Sequence, residues 1–505
     1  QPNLNRTGDN FTRGTTTFMT LNYDRTFGLH QLTMSASYFN GITDYRVTGV
    51  NYQSDKRQDL SYRANYAYNG KYVLQVDLPY SGTIKMPKGD RFNLYHSIGA
   101  GWVASKESFL SSSKVVDYLK FYGSYGLMAN SNYYTSYNPY YLYKTLWQSS
   151  GAWVPGINGN KGEQAVIYQI QQQGSTNFHL PQKKYLNLGV QSQLFKKSLS
   201  LEANYFSEKN YDFISVKESF TPSIFGTGGF LPVTNFGSVK NWGLEGSVQY
   251  ENKIGDLKYT FGGNVLYSRS KNVEVDEPVA LDAYRKRAGT DSDAIWLYES
   301  EGLYRSQEEI STRGVTQSWG SVQPGDIRYR DYNSDGVVDE KDVINTGKHA
   351  PRIFYGVNLR LKYKGIGLYV LGQGQADGQV YIGNSYFNVV GNNQNYSTLM
   401  LDRYNASNTD GSLPRMSTQS QNNVQGSTFW LRNAASFGIK NIELSFDMPK
   451  HLGSALFLPD LTFYLRAKNV ISFSELSKYG LEIQNPNAND YPVFRTVTFG
   501  VSCKF

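Results

Sequence analysis

Twelve residues, Asp331 to Asp342, carry the oxygen spacing of a calcium loop. Side-chain oxygens fall at positions 1, 3 and 5 (Asp331, Asn333, Asp335), and Gly336 stands at position 6, where the chain must turn sharply. The Val337 carbonyl serves position 7 and Asp339 occupies position 9. A hard cation takes about six to eight oxygens, and this spacing wraps them round one point. Position 12 is Asp342 where such loops usually have Glu, a shorter reach that lowers affinity. The sequence shows no flanking EF-hand helices. The expectation is a structural calcium ion, with magnesium second, bracing a long loop; the competing reading is an ion-free Asx-rich turn.

Stacking is the other chemistry the residues could do. The stretch 129–182 holds Tyr133, Tyr134, Tyr137, Tyr140, Tyr141, Tyr143, Trp147 and Trp153. A second group, Tyr381, Tyr386, Phe387 and Tyr396, lies among Asn and Gln. Flat rings with polar edges stack on sugar faces or peptide side chains while still facing water. The expectation is ligand or lid contact by these clusters, set against a membrane-interface girdle and loop-on-loop packing. No catalytic set accompanies them. The five His are scattered, and HExxH, Gly-x-Ser-x-Gly and phosphate-loop patterns are absent, so no enzyme is expected. Cys503 is the single cysteine, which excludes an internal disulfide framework and a Cys-rich zinc site. The net charge of +8 is spread along the chain without a basic stripe, so nucleic-acid binding is not expected.

The elements that must position these residues are strands. There are 41 Tyr and 48 Gly, and no run approaches the roughly 18 apolar residues of a membrane helix. At the C-terminus, Val497, Phe499, Val501, Cys503 and Phe505 alternate with Thr498, Gly500, Ser502 and Lys504. That period of two suits lipid on one face and a watery lumen on the other. Hairpins with the same pattern recur at Leu186–Tyr205, Leu244–Tyr267 and Tyr355–Val370. The apolar phase slips from odd to even near Lys440-Asn441, predicting a bulge. Short connections near 26–28, 69–71, 105–116, 195–198, 251–256, 364–365 and 449–460 alternate with longer ones near 40–56, 81–91, 129–182, 210–238, 269–350, 377–430 and 473–492. Brief periplasmic turns and long extracellular loops alternate in this way in outer-membrane barrels, which places the 331–342 motif on an extracellular loop. The chain reads as all-β, an antiparallel transmembrane β-barrel of about fifteen strands, the first near 16–25. Single-chain bacterial barrels have even strand numbers, so an odd count predicts further strands on the N-terminal side. On that reading residues 1–505 are the C-terminal part of a larger barrel, with a periplasmic C-terminus. The last strand would then find its partner outside this chain.

Several stretches together resemble the C-terminal barrel region of SusC/RagA-type TonB-dependent transporters of Bacteroidota. They are Leu60–Val73, Ile98–Leu110, Leu119–Ala129, Ser238–Val248 (with Asn241 to Gly246 carrying most of the likeness), Gly325–Asp342, Trp430–Pro449 and Leu465–Phe473. The resemblance spans essentially the whole chain and implies a 22-stranded barrel, of which this chain would supply strands eight to twenty-two. It also implies TonB-driven import of oligosaccharides or oligopeptides and a SusD-like surface lipoprotein as lid. The TonB complex would act through the family's N-terminal plug, which has no counterpart here. Competing readings are a passive porin, a surface receptor or adhesin on the same barrel, and a soluble β-rich glycan binder.

Overall fold

The computed structural model describes the chain except residues 1–10, 47–52, 130–141, 154–164, 176–177, 220–230, 279–280, 384–386, 388–396, 418–419, 450–459, 487–490 and 505. One antiparallel sheet dominates it. Its path runs β1 (Phe11–Phe27), β2 (His30–Arg46), β3 (Gln53–Tyr68), β4 (Tyr72–Thr83), β5 (His96–Val103), β6 (Val116–Ala129), β7 (Gln182–Leu194) and β8 (Leu199–Tyr211). It continues through β9 (Ser238–Ile254), β10 (Leu257–Glu274), β11 (Ile353–Tyr363), β12 (Ile366–Ala376), β13 (Ser436–Asp447), β14 (Asp460–Ser474) and β15 (Thr496–Lys504). Each strand pairs with its neighbours along this path, and a short strand at Phe92–Leu94 adds to β4. Within the described residues β1 and β15 each have one partner, so the sheet has two free edges.

Several bounds depart from the sequence reading, and strand also takes up 251–254 of the expected 251–256 turn and 269–274 of the expected 269–350 loop. The first strand begins at Phe11 rather than near 16. Most of the expected 40–56 connection is strand, with Ile42 opposite both Thr15 and Lys56. The predicted slip at Lys440 is present: Gly372 faces Ile439 and Leu371 faces Asn441, leaving Lys440 without an opposite residue.

The turns at one rim follow their residues. Asn69-Gly70 and Lys364-Gly365 take positive φ at both positions (50 and 59°, 46 and 88°), the geometry of a tight hairpin turn whose twist matches its strands. Phe195, Lys196 and Lys197 also lie at positive φ, and Asp117 accepts a hydrogen bond from the Lys197 amide at 2.9 Å.

The sheet has its apolar side outermost. Leu21, Leu74, Leu188, Leu244 and Phe499 are 75, 41, 49, 57 and 70% exposed. Full exposure of such a side chain costs roughly 1.5–3 kcal/mol relative to burial, and the corresponding fraction of that cost is removed if lipid covers this face. The shielded face is polar. Arg63 pairs with Asp77 at 2.5 Å, and Tyr122 donates to Glu202 at 3.0 Å and to Asn204 at 2.5 Å. Ser97 and Tyr185 hydroxyls meet at 2.6 Å, and Arg466 donates to Glu443 at 2.6 Å. A recess of about 470 Å³ on this face is lined by Ser35, Ser61, Arg63, Asp77, Ser97 and Tyr185.

Candidate functional site

The rim with the long connections is a folded body. Segments 275–352, 377–435 and 475–495 share one hydrophobic core of Leu303, Ile327, Tyr329, Val338, Val380, Ile382, Phe387, Met400, Leu413, Trp430, Ala434, Leu476 and Leu481. A smaller core of Met86, Leu142, Phe178, Leu180 and Val233 ties together the connections that follow β4, β6 and β8. Packing of this kind fixes long loops that polar sequence alone would leave mobile.

At the centre of the larger body lies a buried polar network between two connections. Asp326 is fully buried; its carboxylate meets the Arg415 guanidinium at 2.7 and 3.0 Å. It also accepts from the Gln323 amide at 2.8 Å and from Asn423 Nδ2 at 2.9 Å. Gln317 accepts from the Tyr329 amide at 2.8 Å and donates to the Ile327 carbonyl at 3.1 Å and to Asn422 Oδ1. The Tyr329 hydroxyl donates to the Asn422 carbonyl at 2.7 Å. Burying these groups is tolerable because nearly all find hydrogen-bond partners; Arg415 Nε, 2.7 Å from Asp326 without hydrogen-bond geometry, is held by charge alone. Gly325 makes the turn into Asp326 at φ +90°, where an added Cβ would stand 2.3 Å from Tyr404 Cδ1.

The 331–342 turn docks onto this body. Val337-Val338 pairs in parallel with Thr316-Gln317, and Val338 is fully buried. Tyr284 donates to the Lys341 carbonyl at 2.9 Å, and its ring lies 4.7 Å from that of Tyr332. Asp342, buried, closes the turn by accepting from the Tyr332 amide at 2.7 Å and from the Asp339 amide at 2.8 Å. Asp331 accepts from the Gly336 amide at 2.8 Å, Asn333 from the Asp335 amide at 3.0 Å, and Asp335 from the Val337 amide at 3.0 Å. The Val337 amide first, and then Asn333 Nδ2, which also donates to the Asp335 carboxylate at 3.0 Å, hold the Asp335 carboxyl below its ordinary range. The Lys341 ammonium stands 3.7 Å from Asp335 and 3.8 Å from Asp339. The sequence-predicted oxygens are thus gathered on one turn, with backbone amides and an ammonium as their partners. Among the described residues no group of three or more His, Cys, Asp and Glu is arranged to hold a metal.

The aromatic candidates separate. Trp147 and Trp153 lie on a two-stranded ribbon, Leu146–Trp153 with Ala165–Gln172, and are 62 and 60% exposed. Phe387 is only 2% exposed and packs edge-on to Tyr479 at 5.3 Å, so its ring is core, not contact surface. Tyr133, Tyr134, Tyr137, Tyr140, Tyr141, Tyr386 and Tyr396 lie outside the described residues. Sequence reasoning missed the Asp326 network. Its members lie about a hundred positions apart and carry no local spacing; only the position of Asp326 inside the Gly325–Asp342 stretch pointed to it.

No family model matches the chain. It is 24% identical to the TonB-dependent receptor P26 of Formosa agariphila, over 94% of this chain and 49% of that protein. It is 20% identical to the TonB-dependent receptor SusC of Bacteroides thetaiotaomicron, over 88% of this chain and 43% of that one. The RagAB peptide importer in its open-open state superposes with a TM-score of 0.71 at 16% identity, over 98% of this chain and 54% of the other. The chain thus spans about half the length of the relatives it matches. In sequence and in fold, it is similar to the barrel portion of SusC/RagA-type TonB-dependent outer-membrane transporters.

Proposed function

We propose that this chain supplies most of the wall and the loop rim of an outer-membrane importer driven through TonB, with oligosaccharides or oligopeptides as cargo. The observation that carries the reading is the pairing of a polar shielded face with a packed loop body at one mouth. A wall of that kind passes hydrated cargo, and a fixed rim presents a constant surface to a lid. Arg63, Asp77, Tyr122, Glu202 and Tyr185 on the shielded face offer both charged and hydroxyl partners, which suits either cargo. On this reading the long connections are extracellular, the tight turns and the C-terminus are periplasmic, and the lid is a SusD-like surface lipoprotein. The exposed Trp147 and Trp153 are candidate contacts for that lid or for cargo. The TonB complex acts through a plug that belongs to a part of the protein beyond this chain.

The same reading gives the 331–342 turn a structural calcium ion, with magnesium second, held by Asp331, Asn333, Asp335, the Val337 carbonyl and Asp339, with Asp342 closing the loop. Calcium would have to displace the Lys341 ammonium from Asp335 and Asp339. Protease protection of segment 275–352 should then rise on calcium titration, and unchanged protection would rule the ion out. The assembly is tested by mild detergent extraction and identification of co-purifying chains. Recovery of a surface lipoprotein cross-linked through residues of the loop rim is expected; recovery of the barrel alone under every condition would count against the lid.

A further inference from the structure

The basic residues that look scattered in sequence are brought together on the outer face by strand register. Lys184 of β7 stands opposite Lys209 of β8, Lys209 opposite Lys240 of β9, and Lys240 opposite Lys271 of β10. All four side chains are exposed. They share the outward face with Leu188, Tyr205, Leu244 and Tyr267, which lie in the same four strands with their own mutual register. Neighbouring strands lie about 4.8 Å apart, so the row spans roughly 14 Å.

Like charges directly opposite one another destabilise a sheet. Among the described residues none of the four has a carboxylate partner. Glu208, next to Lys209 in sequence, faces the other side and is taken by Lys183. Asp291 is taken by Arg269 at 3.5 Å and Arg352 at 3.6 Å. Rings offer partial relief: Lys184 and Lys209 lie 5.1 and 5.9 Å from the Tyr211 centroid, and Lys240 lies 5.8 Å from that of Trp242. The row therefore calls for an external anion.

Its position on the wall says which one. Towards the turn rim, the next outward row is Leu186, Ser207, Trp242 and Arg269, followed by Leu188, Tyr205, Leu244 and Tyr267, then Val190, Ala203, Gly246 and Val265. The rows pass from four Lys, through a mixed row with Trp242 and Arg269 and a row of two Leu and two Tyr, to a row of small and aliphatic residues, a descent in polarity like that from a headgroup layer into hydrocarbon. From Lys184 to the end of β7 at Leu194 is about ten residues, or roughly 33 Å of strand. Tilted at about 40–45°, that covers roughly 25 Å of membrane, the height of the apolar band of a bacterial barrel. The lysine row sits at the upper edge of that band.

We propose that Lys184, Lys209, Lys240 and Lys271 form a binding site for phosphate-bearing lipid headgroups of the leaflet at the long-loop rim. The occupant is membrane lipid, because the outward rows turn from polar and aromatic to aliphatic on descending from the row of ammonium groups, and the acyl chains would lie on those lower rows.

The test uses the purified full-length protein, delipidated and placed in mixed micelles of neutral detergent with dioleoyl phosphatidic acid or dioleoyl phosphatidylcholine. Retained lipid is counted by native mass spectrometry. Four variants are compared: the fourfold Lys→Gln change at 184, 209, 240 and 271; the fourfold Lys→Arg change there; unaltered protein; and a fourfold Lys→Gln control at Lys114, Lys196, Lys253 and Lys364 near the turn rim. The expected result is preferential retention of phosphatidic acid by the unaltered, Arg and control proteins. The Gln variant should lose several hundredfold in affinity, at roughly 1 kcal/mol per basic residue near an anionic surface and about 1.4 kcal/mol per decade. Equal retention by the Gln and control variants would overturn the proposal. So would displacement of the lipid by millimolar inorganic phosphate, which would make the row a site for free anions.

Discussion

Arg415→Met is expected to open the loop rim without disturbing the wall. The change removes the guanidinium that meets the fully buried Asp326 carboxylate at 2.7 and 3.0 Å and leaves that charge with the Gln323 amide and Asn423. Orphaning one member of a buried ion pair costs about 3–5 kcal/mol. The Arg415 side chain is 20% exposed, so water reaches part of the site and the lower end, about 3 kcal/mol, applies. At about 1.4 kcal/mol per decade this raises the open fraction of the rim by roughly a hundredfold. The assay is proteolysis of the detergent-solubilised protein, with cleavage in segments 275–352 and 377–435 counted by mass spectrometry. Cleavage there tracks the open population when reclosing outpaces the protease. The paired change Asp326→Asn with Arg415→Met removes both charges and keeps one acceptor oxygen, for either the Gln323 amide or Asn423 Nδ2 but not both, so it should restore part of the protection. Cleavage of the single variant within threefold of the unaltered protein would refute the reasoning, as would equal cleavage of the single and double variants.

Two further outcomes are expected. Glu107, at the turn between β5 and β6, accepts from the Tyr72 hydroxyl at 2.6 Å and Lys71 at 2.9 Å, which depress its carboxyl to about 2. Its contribution is therefore complete above the usual carboxylate value of 4.5 and is lost as pH falls from there to about 2. Isotope-edited infrared titration should place its midpoint near the lower figure, and a midpoint near 4.5 would refute the contact. A nitroxide placed by Phe499→Cys in a Cys503→Ser background should collide mainly with oxygen dissolved in lipid. The same label at Thr498, on the opposite face of β15, should collide mainly with a water-soluble nickel reagent; equal behaviour at the two positions would remove the lipid face.

The wall was legible because lipid and lumen impose opposite demands on alternate residues. Val497, Phe499 and Val501 stand on one face with Leu465 and Phe463 opposite, as their alternation required. The Lys440 bulge was readable for the same reason, since a slipped phase needs an unpaired residue. Strand ends were harder. Thr12 to Thr17 pair regularly with β2, but their mostly Thr run has no apolar alternation to read. The loop body was mostly hidden, because its core and its Asp326 network join segments distant in sequence through packing that no local period encodes. The aromatic signal showed the same ambiguity. Trp147 stands exposed while Phe387 is buried, although both lay in ring-rich polar stretches. The lysine row was invisible for a related reason: its members lie 25 to 31 positions apart and meet only through register.

The most direct measurement of the import proposal is uptake of labelled oligopeptides and oligosaccharides by cells that carry or lack this protein, each with and without a working TonB. Accumulation that needs both the protein and TonB is the expected result. Uptake that persists without TonB, as through an open porin, or surface binding with no accumulation, as for a receptor or adhesin, would contradict it.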